Sequence, residues 1–241
     1  MKEVLRTEGL SRKFGGVEAV SGVDFSVEKG QAVGVIGPNG AGKTTLFNLI
    51  SGFLRPSTGE VYYRGERITD WSVHRRVEEG LTRTFQVSKV FPRMSVRENV
   101  LTGTYTSRGS GGLTWLVGEK DKKGGSPEVT VERIMEVTKL DGYEDRLAMD
   151  LSYGYRRRLE LAVALATDPR LLLLDEPFSG TNPLDLDELV NLLKLLNEGG
   201  VTILVVEHDL GSIINLVDRL IYMDSGRMVV PGESSSGSGG S

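Results

Sequence analysis

Lys43 and Thr44 close the run Gly37-Pro38-Asn39-Gly40-Ala41-Gly42-Lys43-Thr44, which matches the phosphate-loop pattern G-x-x-x-x-G-K-[ST]. Gly37, Gly40 and Gly42 permit backbone turns that a side chain would obstruct. Successive N–H groups can then point inward at a polyphosphate, whose charge also favours the N-terminus of a following helix. Lys43 would neutralise the β- and γ-phosphates, and the Thr44 hydroxyl would ligate Mg²⁺. The plain alternative is a glycine turn with a solvated lysine. Context decides against it: residues 33–36 read as a buried strand, and Leu46, Leu49 and Ile50 form an apolar stripe on the helix that starts near Thr45.

A second set of chemical groups stands at Asp175 and Glu176, directly after four leucines. Such a fully apolar run is expected of a parallel strand buried on both faces, and ligands bind at the C-terminal ends of such strands. Asp175 would hold Mg²⁺ through water, and Glu176 would accept a proton from an attacking water. Residues 201–206 repeat the pattern and end at Glu207-His208-Asp209, so His208 is delivered to the same sheet edge. It is either a catalytic histidine or a structural one. His74, in a charged helical stretch, reads as solvated.

Three further candidates need partners that their own neighbourhoods do not name. Gln86 ends a short apolar strand at residues 81–86. Its amide both donates and accepts, which suits contact with metal ligands and a γ-phosphate, although a surface position is the default. Phe14 stands beside Gly15 and Gly16, where its face can stack on a planar base with Val20 covering the edge, or it is an ordinary core aromatic. Ser152 is a natural N-cap, and Gly154 leaves backbone donors open at a positive helix end. That arrangement is either an anion site or a plain capped helix.

The elements that must position these groups follow from periodicity. Residues 4–28 alternate like antiparallel strands, with a turn at Lys29-Gly30, and residues 60–63 form another strand after the turn 56–59. Ser95 with Glu98 makes a capping box that starts a helix. Residues 108–127 are rich in Gly, Ser and Lys, and read as an insertion interrupted by the apolar residues 113–117. Helical spacing returns through Val131, Ile134, Val137 and Leu140. Residues 92 to about 166 are therefore expected to be a helical subdomain inserted into a β-rich core. Residues 185–196 form an amphipathic helix, and residues 219–223 and 227–230 a hairpin around Asp224-Ser225-Gly226. Residues 234–241 are all Ser and Gly, a flexible tail by composition.

Composition sets the limits. The 241 residues suffice for one sizeable domain, and the domain is expected to span 1–233. The net charge is −4, with no basic run beyond Arg156-Arg157-Arg158, so nucleic acid is not an expected partner. There is no cysteine, which excludes a disulfide framework and thiolate metal sites. No apolar stretch approaches the ~18 residues needed to span a bilayer, and Met1-Lys2-Glu3 begins no signal peptide, so a membrane role is expected to come through a partner.

Taken in order, the loop 37–44, Gln86, residues 151–155, the strand 171–176 and His208 resemble the ATP-binding subunits of ABC transporters. The resemblance runs from Val4 to about Val230. Residues 37–44 look like Walker A, 171–176 like Walker B, Gln86 like the Q-loop, His208 like the switch histidine, Phe14 like the A-loop aromatic, and Leu151-Ser152-Tyr153-Gly154-Tyr155 like the LSGGQ signature. Arg83-Thr84-Phe85-Gln86, Tyr153-Gly154 and Gly180-Thr181-Asn182-Pro183 are most similar to importers of branched-chain amino acids. Close relatives serve urea and amide uptake or lipopolysaccharide export, and a module that binds ATP with little turnover is a further alternative.

The resemblance implies an α/β phosphate-loop NTPase (RecA-like) core with an N-terminal antiparallel β subdomain and the inserted helical one. It implies ATP and Mg²⁺ as cofactors, with catalysis by Lys43, Gln86, Glu176 and His208. Nucleotide contacts are implied at Phe14, Val20, Gly37, Pro38, Asn39, Gly40, Ala41, Gly42, Lys43, Thr44, Thr45, Gln86, Ser152, Gly154, Tyr155 and Asp175, and metal contacts at Thr44, Gln86 and Asp175. It further implies a cytoplasmic subunit, peripheral on the inner face of the cell membrane. The subunit would pair head-to-tail with a second ATP-binding subunit and dock on a transmembrane permease. Tyr153 and Tyr155 depart from the usual signature; the bulk of Tyr153 could crowd a partner's phosphate, but importers of this type often carry Tyr there, so Tyr155 is the less expected residue. Asn182 replaces the usual D-loop aspartate.

Overall fold

Two sheets organise the chain, and the computed structural model describes them through residues 2–84, 90–106, 113, 116 and 127–229. The first is antiparallel. It contains β1 (Glu3–Phe14), β2 (Val17–Glu28), β4 (Thr58–Tyr63) and β5 (Glu66–Arg67) in the order β2-β1-β4-β5. The second contains β3 (Ala32–Ile36), β6 (Leu81–Arg83), β7 (Leu171–Asp175), β8 (Thr202–Glu207), β9 (Arg219–Asp224) and β10 (Arg227–Val229) in the order β10-β9-β3-β8-β7-β6. All its neighbours are parallel except the β9–β10 hairpin.

The apolar runs of β7 and β8 are explained by the two cores that the second sheet separates. Leu172, Leu174, Ile203 and Val205 face one core, while Leu171, Leu173, Leu204 and Val206 face the other. A strand covered on both faces has no solvent side on which to place polar residues. Each fully buried leucine contributes roughly 1.5–3 kcal/mol.

The first core is closed by the helices α3 (Val96–Thr104), α4 (Pro127–Val137), α5 (Tyr153–Ala166) and α6 (Pro183–Glu198). Ser95 and Glu98 make the expected capping box at α3. Leu113 is buried in the same cluster, and its N–H donates to Asp168 Oδ1 at 2.6 Å. Most of the Gly- and Ser-rich insertion, and the tail from residue 230, lie outside the described residues, as does Gln86.

The second core holds α1 (Lys43–Ser51) under the antiparallel sheet. The end of α1 is fixed by Arg76, from α2 (Val73–Glu78), which is 1% exposed. Its guanidinium donates to the carbonyls of Leu49, Ile50, Ile68, Thr69 and Trp71. These include C-terminal carbonyls of α1 that the helix itself leaves unpaired. Burial pulls the Arg76 pKa down to about 10, and at neutral pH it remains a cation. The short helix α7 (Leu210–Ile213) follows β8 and is capped by Asp209. Among the described residues no helix is long and apolar enough to cross a membrane.

Candidate active site

The parallel register brings the chemical groups together. Ile36 of β3 pairs with Glu207 of β8, and Val206 of β8 pairs with Asp175 of β7. The glycine loop, Asp175-Glu176 and Glu207-His208 therefore leave the sheet side by side, at the C-terminal ends of adjacent strands.

In the loop, Lys43 is 5% exposed and its Nζ donates to the carbonyls of Gly37 (2.6 Å) and Pro38 (3.0 Å). The lysine therefore folds back over the loop and points its charge into the ring of backbone it closes. Gly40 is exposed with open space where a Cβ would stand, and Pro38, Asn39 and Thr44 are exposed too. Thr45 is half-buried and Ala41 is buried. Two glycines are required by close approach. A Cβ at Gly37 would overlap the Met223 carbonyl, and one at Gly42 (φ 97°) would overlap the Ala19 carbonyl. The first turn of α1 has no side-chain cap, so its backbone donors remain available to an anion.

At the end of β7, Asp175 is 3% exposed. Its Oδ2 takes a 2.6 Å ion pair from Arg83 Nη2, and the same guanidinium donates through Nη1 to Asn48 Oδ1 (2.7 Å) and Ser51 Oγ (3.0 Å) of α1. Asp175 Oδ1 is buried with no hydrogen-bond partner among the described residues. A buried carboxylate oxygen left without a donor is costly, and a divalent cation or its water would satisfy it. The donor set fits Mg²⁺, a hard ion that keeps several waters and phosphate oxygens.

Glu176 adopts φ 48°, a left-handed conformation uncommon for a residue with a Cβ. Its N–H donates to Val206 O at 3.0 Å, so the turn after β7 is stitched to β8. Strain of this kind collects where a side chain must be aimed. The next strand end contributes Glu207, 1% exposed, whose Oε1 accepts the Phe178 N–H at 3.0 Å and whose Oε2 lies 3.5 Å from His208 Nδ1. Burial pushes the Glu207 carboxyl above its ordinary range, against the lowering effect of the Phe178 N–H. His208 itself is exposed.

Other expected contacts are placed differently. Ser152 caps α5, with its Oγ facing the Tyr155 N–H, but the Tyr155 ring stacks on Tyr143 with centroids 4.3 Å apart. Only its backbone is left at the helix end. Phe14, 44% exposed, lies under the Arg12 guanidinium at the tip of the β1–β2 hairpin, whose Ala19 carbonyl abuts Gly42. Val20 is fully buried in the second core. The Tyr153 ring, 44% exposed, packs on Gly180 of its own chain. Gln86 lies outside the described residues.

The sequence reading overlooked Arg83 and Glu207. Arg83 stood in plain view three residues before Gln86, and a cation inside a three-residue strand was the available signal.

A family model described as "ABC transporter" matches residues 20–179. The chain is 36% identical over 234 residues to the high-affinity branched-chain amino acid transport ATP-binding protein BraF of Pseudomonas aeruginosa, covering 96% of this chain and 92% of BraF. It superposes with TM-score 0.84 and 34% identity on the ADP conformation of MJ1267, an ATP-binding cassette of an ABC transporter, covering 95% and 91% of the two chains. With TM-score 0.77 and 26% identity it matches a dimeric post-hydrolysis state of the cassette MJ0796 bound to ADP and Pi, covering 94% and 97%.

Proposed function

Since the chain belongs to the ABC transporter family and is one of its ATP-hydrolysing cassettes, we propose that it is the energising subunit of a branched-chain amino-acid importer. It would sit on the inner face of the cell membrane and act through a separate transmembrane permease. The observation that carries this reading is the shared edge of β3, β7 and β8, where the loop of Lys43 meets Asp175, Glu176 and His208. The near full-length likeness to BraF supports the choice of solute.

In this reading Lys43 leaves the Gly37 and Pro38 carbonyls for the β- and γ-phosphates, and the loop N–H groups and the first turn of α1 hold the remaining oxygens. Thr44 and Asp175 would hold Mg²⁺, which when bound supplies positive charge against the transferring phosphoryl group. Glu176 accepts a proton from the attacking water. His208, with its ring beside Glu207, would act on the γ-phosphate. Phe14 offers a face to the base.

Ser152 and Gly154 would serve the nucleotide held by a second, similar subunit; the cassette MJ0796 is dimeric in its post-hydrolysis state bound to ADP and Pi. Gln86 would sense the γ-phosphate on behalf of the permease.

Uptake of labelled leucine, isoleucine and valine tests the assignment in cells lacking this gene and in cells expressing the Glu176→Gln protein. Loss of uptake in both is expected. Uptake at the native rate in either would overturn the importer reading.

A further inference from the structure

Tyr153 is bonded within its own chain. Its hydroxyl receives two N–H groups from Arg157, Nε at 3.1 Å and Nη2 at 2.9 Å. A phenol has one proton to give and two positions at which to accept. With both acceptor positions taken, the proton is directed outward, and it meets the carbonyl of Ser179 at 2.7 Å. Arg157 is in turn held by Glu160 at 2.9 Å, with both side chains at most 10% exposed. The Tyr153 ring lies 3.3–3.4 Å from the place a Cβ would take on Gly180 (φ 74°), so a larger residue there would push the ring away.

Ser179 belongs to the turn that begins at Glu176. Its N–H donates to the Glu176 carbonyl at 3.2 Å, and Thr181 closes the turn on the Phe178 carbonyl through both its N–H and its hydroxyl. On the far side the Phe178 N–H is held by Glu207. The start of α5 also approaches the first turn of α6. Asp185 Oδ2 lies 2.8 Å from where a Gly154 Cβ would stand, and it accepts from Asn182 Nδ2 at 2.6 Å. The Tyr153–Ser179 bond thus joins the start of α5 to the turn after Glu176, and Gly154 packs beside the first turn of α6.

We propose that the Tyr153 hydroxyl is a positioning group that locks the 176–181 turn, and with it the aim of Glu176, to the start of helix α5. This deepens the function proposed above and rests on it. In a head-to-tail pair, Ser152 and Gly154 of one chain meet the nucleotide of the other, whereas Glu176 serves the chain's own. The Tyr153–Ser179 bond is then a rigid link from one nucleotide site to the next. Docking of a phosphate at the start of α5 is transmitted to the carboxylate that acts on the other. Tyrosine at this position performs a task that the small residue usual in the signature cannot.

The test compares the native chain with Tyr153→Phe, which keeps the ring and the packing on Gly180 and removes only the hydroxyl. Hydrogen exchange of residues 177–182 is followed without nucleotide. ATP binding and the separate kcat and KM for hydrolysis are measured alongside. The expected result is exchange about three- to tenfold faster at Ser179 and Thr181, ATP affinity and KM unchanged, and kcat lowered by a similar factor. Unchanged exchange, or faster exchange with an unchanged kcat, would overturn the proposal. Should the native chain hydrolyse no ATP, the ATPase reading fails, while the exchange comparison still decides whether the hydroxyl holds the turn.

Discussion

Arg83 and Asp175 form an ion pair at 2.6 Å in which both side chains are at most 5% exposed, joining β6 to the end of β7. The same guanidinium reaches Asn48 and Ser51 on α1, so one cation fixes the helix of the glycine loop relative to the carboxylate at the sheet edge. The pair leaves Asp175 Oδ1 buried and without a hydrogen-bond partner among the described residues.

Removing that cation would strand a buried carboxylate. Arg83→Met is expected to cost about 3–5 kcal/mol in urea unfolding, and Arg83→Met with Asp175→Asn is expected to recover a large part of it, because no charge is left behind. A single variant that loses under about 1 kcal/mol would show that the pair does not bear on stability.

Lys43→Ala removes two buried hydrogen bonds to the loop carbonyls and the charge that would meet the phosphates. Charge-assisted bonds of this kind are worth about 1.5–3 kcal/mol. ATP affinity measured calorimetrically is therefore expected to fall roughly 10- to 150-fold, with a small loss of thermal stability. Native affinity in the variant would remove Lys43 from the nucleotide site.

Glu207 gives the site a pH dependence of known sign. Burial raises its pKa above the ordinary 4.5, so the folded chain holds this proton more tightly than the unfolded chain does. Its contribution to stability is present in full below pH 4.5 and is lost as pH rises through the raised value. Glu207→Gln, which keeps an acceptor for the Phe178 N–H, is expected to abolish that loss. Urea titrations from pH 4 to pH 8 should show the variant gaining on the native chain as pH rises. A constant difference across the range would contradict the assignment.

Much of this was legible in the sequence because periodicity and motif spacing report backbone features. Four leucines before Asp175 required a strand covered on both sides, and the glycines before Lys43 required a loop, whatever the rest of the chain did. The capping box at Ser95 was equally local. What was missed depends on tertiary direction. Arg83 read as part of a short strand, since nothing local says that a cation crosses to Asp175. Val20 lies on a strand whose alternation is broken by register irregularities between β1 and β2, and only the packing shows which face it takes. The hydroxyl contact of Tyr153 was equally beyond reach of the sequence. The turn after Glu176 lies over it, and that contact joins residues 26 apart.

The central claim is that this chain is an ATPase completed by a second cassette, with Glu176 as its base. It is tested most directly by Mg-ATP turnover per chain as a function of protein concentration, for the native chain and for Glu176→Gln, with ATP binding measured in parallel. The specific rate is expected to rise with concentration and to fall roughly 10²–10⁴-fold in the variant while binding persists. A rate independent of concentration, or one unchanged by Glu176→Gln, would contradict it.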